Sequence, residues 1–256
     1  MNILAVSIKT IPDIDTCRHL YDLHGLSDDD VAKAVLHKRR QQMLDQALPV
    51  HLQRIVSISV ILSRSGQFKV WSLGDDNAGE EDLLQRFYDG LERYHPCLVT
   101  WNGRRVDLSV IQCRSLRYPL NAGSYWGSDD TREHPEPMAT ESYYLHNRHI
   151  DLKHVLVPFI SDSGSSQDEL AQLCGFPGAG SSPDDTIWGL WLKGDIDRIR
   201  QMGEEHVLNT YLLYLNWERN RGNLSVPQHE SQCNLVRDSL KTSDAAHLLE
   251  FEKNWV

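Results

Sequence analysis

Paired cysteines, an excess of basic residues and long apolar runs are all missing from this chain, and each absence removes a class of protein. Its five cysteines, Cys17, Cys97, Cys113, Cys174 and Cys233, are odd in number, scattered, and nowhere spaced C-x-x-C. That argues against a disulfide framework and a thiolate zinc site, and it fits a reducing cytosol, so the protein is expected to be cytoplasmic. The first apolar stretch, Ile3 to Val6, has no basic leader and is too short for a signal peptide or a membrane span, so no membrane partner is expected. Lys and Arg number 26 against 36 Asp and Glu, a formal net charge of -10. Sequence-independent nucleic-acid binding rests on neutralising phosphates, so an acidic chain must gather its cations on one face or bind weakly. Lys38-Arg39-Arg40, Arg104-Arg105 and Arg114 with Arg117 are the local cationic clusters, and each reads first as a solvated face.

What is present is the patterning of one α/β domain. At 256 residues the chain can bury a sizeable core, and no shift in composition demands a second one. Ile3–Ile8, the β-branched stretch His51–Leu62 and Phe68–Leu73 read as strands, the last two joined at Ser65-Gly66 as a hairpin. Ser27–Gln46 is a polar helical insertion, opened by Ser27 with acid in its first turn. Glu80–Tyr94 has helical spacing, Cys97–Trp101 is a short strand, and Leu108–Arg117 a further helix. Residues 121–147 are rich in Gly, Ser, Asp and Pro and read as a surface flap. Helices are expected at Gln167–Cys174, Thr186–Leu192 and Ile196–Glu218. This divides the chain into a domain over 1–222 and a polar tail over 223–256, helical in part around Gln228–Leu240.

The chemistry-bearing segments recur in a fixed order. Ile8-Lys9-Thr10-Ile11-Pro12-Asp13 ends the first strand, and Leu48-Pro49-Val50-His51-Leu52-Gln53-Arg54-Ile55-Val56 opens the second. Trp101-Asn102-Gly103-Arg104-Arg105-Val106-Asp107-Leu108 lies where a strand turns into a helix, followed by His149-Ile150-Asp151-Leu152 and Asp168-Glu169-Leu170-Ala171. Val207-Leu208-Asn209-Thr210-Tyr211 completes the set on the longest helix. Alone, each is weak; an Asn-Gly turn with a helix-capping Asp is ordinary. Together, from Met1 to about Arg221, they resemble DEDD-type 3′–5′ exonucleases, in the group related to the proofreading domain of family-B DNA polymerases. The resemblance implies a ribonuclease H-like fold: a mixed sheet of about five strands, the first three antiparallel, with helices on both faces.

It also implies two-metal phosphodiester hydrolysis, in which two magnesium ions about 4 Å apart are held by acids while a Tyr or His orients the attacking water. In that group the first strand reads Asp-Ile-Glu-Thr-(Ile/Val)-Pro-Asp. Carried onto this chain, the four carboxylates fall at Ser7, Lys9, Asp107 and His206, and the water-orienting residue at Met202. Asp107 alone is acidic. Lys9 puts a cation where a ligand belongs, and a unit charge about 4 Å from a divalent ion costs roughly 8 kcal/mol at an effective dielectric near 20. Migrated ligands are poor candidates: Asp13 reads as a local turn residue, and Glu204 and Glu205 lie about 200° and 100° around a helix from His206, so at most one leans in. The densest imidazole run, His146, His149, Asp151 and His154, reads as a loop-to-helix junction. No metal is therefore expected. The alternative is a magnesium or manganese ion on Asp107 and His206, with a surviving 3′–5′ exonuclease activity.

The expectation is thus a pseudo-exonuclease that binds a single-stranded nucleic-acid end, or a partner protein, through the old substrate cleft. Lys9 and Thr10, Trp101 as a base-stacking surface, and Asn102, Gly103, Arg104 and Arg105 are its candidate nucleic-acid contacts. A pure protein-interaction scaffold is the remaining alternative.

Overall fold

The computed structural model describes residues 2–42, 48–126, 148–156, 166–179 and 186–256. Much of the expected flap lies outside the described residues, as does His146. The architecture follows from strands that are apolar on both faces. In β1 (Ile3–Pro12), Leu4, Val6 and Ile8 point to one side and Ile3 and Ala5 to the other, which only a central strand with cover on both faces can satisfy. Accordingly β1 lies at the centre of a five-stranded sheet of order β3-β2-β1-β4-β5. β2 (Gln53–Arg64) and β3 (Gln67–Ser72) are antiparallel, and Ser65 and Gly66 both adopt positive φ at their tight turn. β4 (Cys97–Thr100) runs parallel to β1, and β5 (His149–Asp151) parallel to β4. This is the mixed α/β sheet, antiparallel over its first three strands, that the sequence predicts.

The described residues form eleven α-helices: α1 (Ile14–Tyr21), α2 (Asp28–Gln42), α3 (Glu80–Tyr94), α4 (Asp107–Ser115), α5 (Gly123–Trp126), α6 (Leu152–Leu156), α7 (Gln167–Leu173), α8 (Ile187–Leu192), α9 (Ile196–Asn220), α10 (Val226–Lys241) and α11 (Ala246–Lys253). On one face Leu84, Phe87 and Leu91 of α3 and Leu108 and Ile111 of α4 pack on Leu4, Val6, Ile58 and Val60. On the other, Leu208, Tyr211, Leu212 and Leu215 of α9 pack on Ile3, Ala5, Ile61 and Val99. Each such buried side chain contributes about 1.5–3 kcal/mol.

Two expectations need correction. The stretch from residue 223, expected as a polar tail with a helix around Gln228–Leu240, has that helix as α10 but does not hang free: α10 and α11 bury Val236, Leu240, Leu248 and Phe251, with Trp255 beyond them, in the same core as α9. A sparse apolar stripe on a polar helix hides this in composition, although Ser225 and Gln228 form a capping box with Pro227 in the first turn. Arg114 and Arg117, read first as a solvated face, are only partly so: Arg117 is exposed but Arg114 is buried. Buried Arg114 donates to Asp13 and Glu80 at 2.6 Å each, and Arg117 to Asp13 at 3.1 Å. Asp13 also caps α1 through Thr16 N, so this network locks the end of β1 to α3 and α4. Burial alone would raise the Asp13 pKa; the bonds from Arg114 and Thr16 hold it below the usual value.

Candidate functional site

Alternation along β1 puts Ser7 and Lys9 on the face covered by α9. The helix comes very close here because residue 203 is glycine. A Cβ at Gly203 would sit 2.2 Å from Ser59 Oγ and 3.8 Å from Lys9 Cγ, so the lysine stem lies beneath this turn of α9. The pairing of β1 with β2 shifts register between Lys9 and Thr10. Such bulges locally bend a strand and re-aim its side chains.

Lys9 is half-buried and makes no ion pair or hydrogen bond among the described residues. Its ammonium nevertheless lies in the field of Asp107, Asp168 and Glu205. Burial lowers its pKa below 10.5 while the three carboxylates pull it back up, and burial wins. Asp107 opens α4, and its Oδ1 accepts a hydrogen bond from Ile8 N at 2.9 Å, which fastens α4 to β1 beside Ser7. Burial pushes its carboxyl up to about 6, against the pull of the Ile8 bond and of Lys9. His206 is held well below 6.5 by burial and by the charge of Lys9, so its ring is neutral at pH 7.

The remaining positions have been put to other uses. Met202 is buried in an apolar cluster with Ile11, Val56, Leu190 and Ile199, under α8. α8 is tied to the insertion helix α2 by Trp188 Nε1, which donates to Asp29 Oδ1 at 3.2 Å. Glu204 is engaged by Ser72 Oγ at 2.8 Å and by His247 Nε2 at 2.8 Å. Glu205 accepts from Arg198 at 3.0 Å through Oε1, while its Oε2 is buried without a partner among the described residues. Ser7 is buried beneath α9.

The Asn102–Arg104 turn is built by Asp151, whose Oδ1 accepts from Asn102 N at 2.9 Å and whose Oδ2 accepts from Arg104 N at 3.0 Å. Asn102 takes a φ of 62°, a left-handed conformation that Asn tolerates. At Gly103 any side chain would strike Thr100, its Cβ falling 2.1 Å from Thr100 Oγ1. His149 Nε2 bonds Thr100 Oγ1 at 2.7 Å, and burial lowers the His149 pKa to about 4. His149 and Asp151 therefore shape this turn.

Trp101 is 9 % exposed and belongs to the core, which removes it as a stacking surface. Thr10 is half-buried and bonds Gln53 at 3.1 Å. Arg104 and Arg105 are exposed. Sequence reasoning does not single out Asp168 as a neighbour of Lys9. The available signal is the capping box of Ser166 and Glu169, which sets Asp168 in the first turn of α7.

These residues do not fit a pair of divalent ions. The surviving carboxylate is committed in part to Ile8 N, the imidazole is a poor ligand for magnesium, and an ammonium sits among the acids. Among the described residues no three His, Cys, Asp or Glu side chains gather as a metal site.

A search of curated proteins finds no match. Among solved structures, a family B DNA polymerase from the hyperthermophilic archaeon Pyrobaculum calidifontis aligns at 12% identity with a TM-score of 0.49, over 94% of this chain and 28% of the polymerase. Residues 45–255 match a family described as predicted 3′–5′ exonucleases related to the exonuclease domain of PolB. The chain belongs to that family.

Proposed function

We propose that this chain is a catalytically silent member of its family, a pseudo-exonuclease that acts by binding a single-stranded nucleic-acid end in the old substrate cleft. The observation that carries the reading is Lys9: an ammonium lies among Asp107, Asp168 and Glu205, where family members would hold their ions. The packing of Met202 into an apolar cluster supports silence independently, since no group at that position can orient a water. The binding half rests on the turn that Asp151 holds rigid beside Asp107 and on the exposed Arg104 and Arg105 that follow it. The free cysteines favour a reducing, cytoplasmic setting.

One observation favours a partner protein instead. The charge of Lys9 is opposed by three carboxylates, and the whole chain carries a net charge of -10, so little positive field is left for phosphate.

Anisotropy of a labelled single-stranded oligonucleotide, titrated with salt, separates the two. Nucleic-acid binding predicts a steep loss of affinity with salt. It also predicts that Lys9→Glu weakens binding by about 1–2 kcal/mol, the scale of a charge-assisted contact. Affinity that is absent, or indifferent to both salt and Lys9→Glu, would leave the partner-protein reading standing.

A further inference from the structure

We propose a second binding site, a groove of ≈ 310 Å³ between α3 and the β3 edge of the sheet, which takes one large apolar side chain from an acidic segment of a partner protein. The groove lies on the α3 face near the start of β1, and Lys9 on the α9 face near its end. The proposal therefore does not depend on what the Lys9 cleft binds.

On this face Leu4, Val60 and Phe87 form a buried floor, while Leu62, Trp71 and Tyr94 around it are half-buried and open to a ligand. Gly90 belongs to the helix wall, and a Cβ there would meet nothing within 4 Å. Glycine inside a helix costs roughly 1 kcal/mol against alanine, and here neither a positive φ nor a close neighbour asks for it. Its effect is to deepen the groove.

The donors around that apolar floor are unspent. Lys69 lies over the Trp71 ring and Arg93 over the Tyr94 ring, each 5.2 Å from the centroid. Both cations are exposed, and neither has an ion pair among the described residues. Trp71 Nε1 and the Tyr94 hydroxyl make no hydrogen bond among those residues either. Of the other charges lining the groove, Asp89 accepts from Gln85 at 2.7 Å and Arg86 is paired to Asp82 at 2.7 Å.

Unused donors and cations beside accessible apolar surface select an apolar side chain flanked by carboxylates. The side chain packs on Leu62 and Trp71, and Lys69 and Arg93 meet the acids beside it. A basic segment would be repelled by the same two cations. The volume is at the small end of the roughly 300–1,000 Å³ of small-molecule pockets, which suits a single anchor residue of a larger partner. The net charge of -10 opposes an acidic partner at long range, so recognition rests on these local cations.

The test is titration of the full chain with a blocked peptide, Asp-Glu-Phe-Leu-Asp-Glu. Its controls are Asn-Gln-Phe-Leu-Asn-Gln, Asp-Glu-Ser-Gly-Asp-Glu, dodecanoate and a single-stranded oligothymidine. Binding is read by calorimetry and by amide and indole chemical shifts. The expected result is saturable binding of the acidic peptide, with shifts confined to residues 60–62, 69–74 and 86–94 and including the Trp71 indole. The amide-flanked peptide should bind about tenfold more weakly at low salt, the scale of two exposed ion pairs, and the Ser-Gly peptide should not bind. Lys69→Glu combined with Arg93→Glu, both at exposed positions, should weaken the acidic peptide at least as much and leave the amide-flanked one unchanged. Gly90→Leu fills the groove with a better helix former, so it should abolish binding while keeping or raising the melting temperature. No saturable binding of the acidic peptide, equal affinity for the amide-flanked one, or full affinity in either variant would overturn the proposal. Dodecanoate or oligothymidine binding there more tightly than the acidic peptide would assign the groove to a lipid or a nucleic acid and overturn the partner.

Discussion

Burial, more than the charge of Lys9, sets how the ionisable groups on both sides of Asp107 titrate. Folding lowers the pKa of His149 to about 4 from 6.5 and holds that of His206 well below 6.5. As pH falls from 6.5 toward 4 the unfolded chain binds these protons and the folded chain does not, so stability falls with pH. Asp107 acts oppositely: its folded pKa of about 6 lies above the ordinary 3.8. Its contribution is full below 3.8 and is lost as pH rises through about 6. Urea unfolding between pH 4 and 7 should therefore show a weaker acid-side loss in His149→Gln and a steeper one in Asp107→Asn. Identical slopes in all three proteins would mean that these side chains are solvated.

Single residues were readable from the sequence to different depths. That Ser7, Lys9 and His206 are not acidic is visible as letters in the sequence. That Met202 packs under α8 depends on where α8 lands on α9, which is a tertiary fact, and that Trp101 faces the core depends on the turn just past the end of β4, where periodicity no longer fixes the side.

Among the elements, α9 is the one that couples fold to site. It approaches the sheet at Gly203, where an added methyl would meet Ser59 Oγ at 2.2 Å, and that hydroxyl is already bonded to Ser72 at 2.9 Å. Gly203→Ala should thus destabilise the protein by about 1–3 kcal/mol, the range of overpacking, despite the better helix propensity of alanine. A neutral or stabilising change in denaturant melts would show that the helix can lift away. The buried network at the end of β1 predicts a larger effect. Arg114→Ala leaves Asp13 and Glu80 without their shared cation, each at about 5 % or less side-chain exposure. The expected cost is about 3–5 kcal/mol, and a loss under 1 kcal/mol would count against the network.

Strands and hairpin were predictable because β-branched runs and the Ser65-Gly66 turn are strong local signals. The helix around Gln228–Leu240 was legible as well and is α10, but α11 and the packing of both against α9 were not, because their buried positions are few and their exposed faces dominate any average.

For the molecule as a whole, the mixed sheet and the family follow from the order of weak motifs, while the proposed silence rests on four single residues, Ser7, Lys9, Met202 and His206. The fold has kept the parts that shape the cleft: the Asp151-held turn, the bond from Ile8 to Asp107, and the close pass of α9. Beside them lies the ammonium of Lys9, in the field of Asp107, Asp168 and Glu205. Catalytic silence is tested most directly by incubating the purified chain with a 3′-labelled single strand in millimolar magnesium or manganese and resolving the products at single-nucleotide length. The predicted result is an intact strand with either metal, the same as for Asp107→Ala. Stepwise shortening from the 3′ end by the parent chain, abolished by Asp107→Ala, would contradict it and establish a working exonuclease.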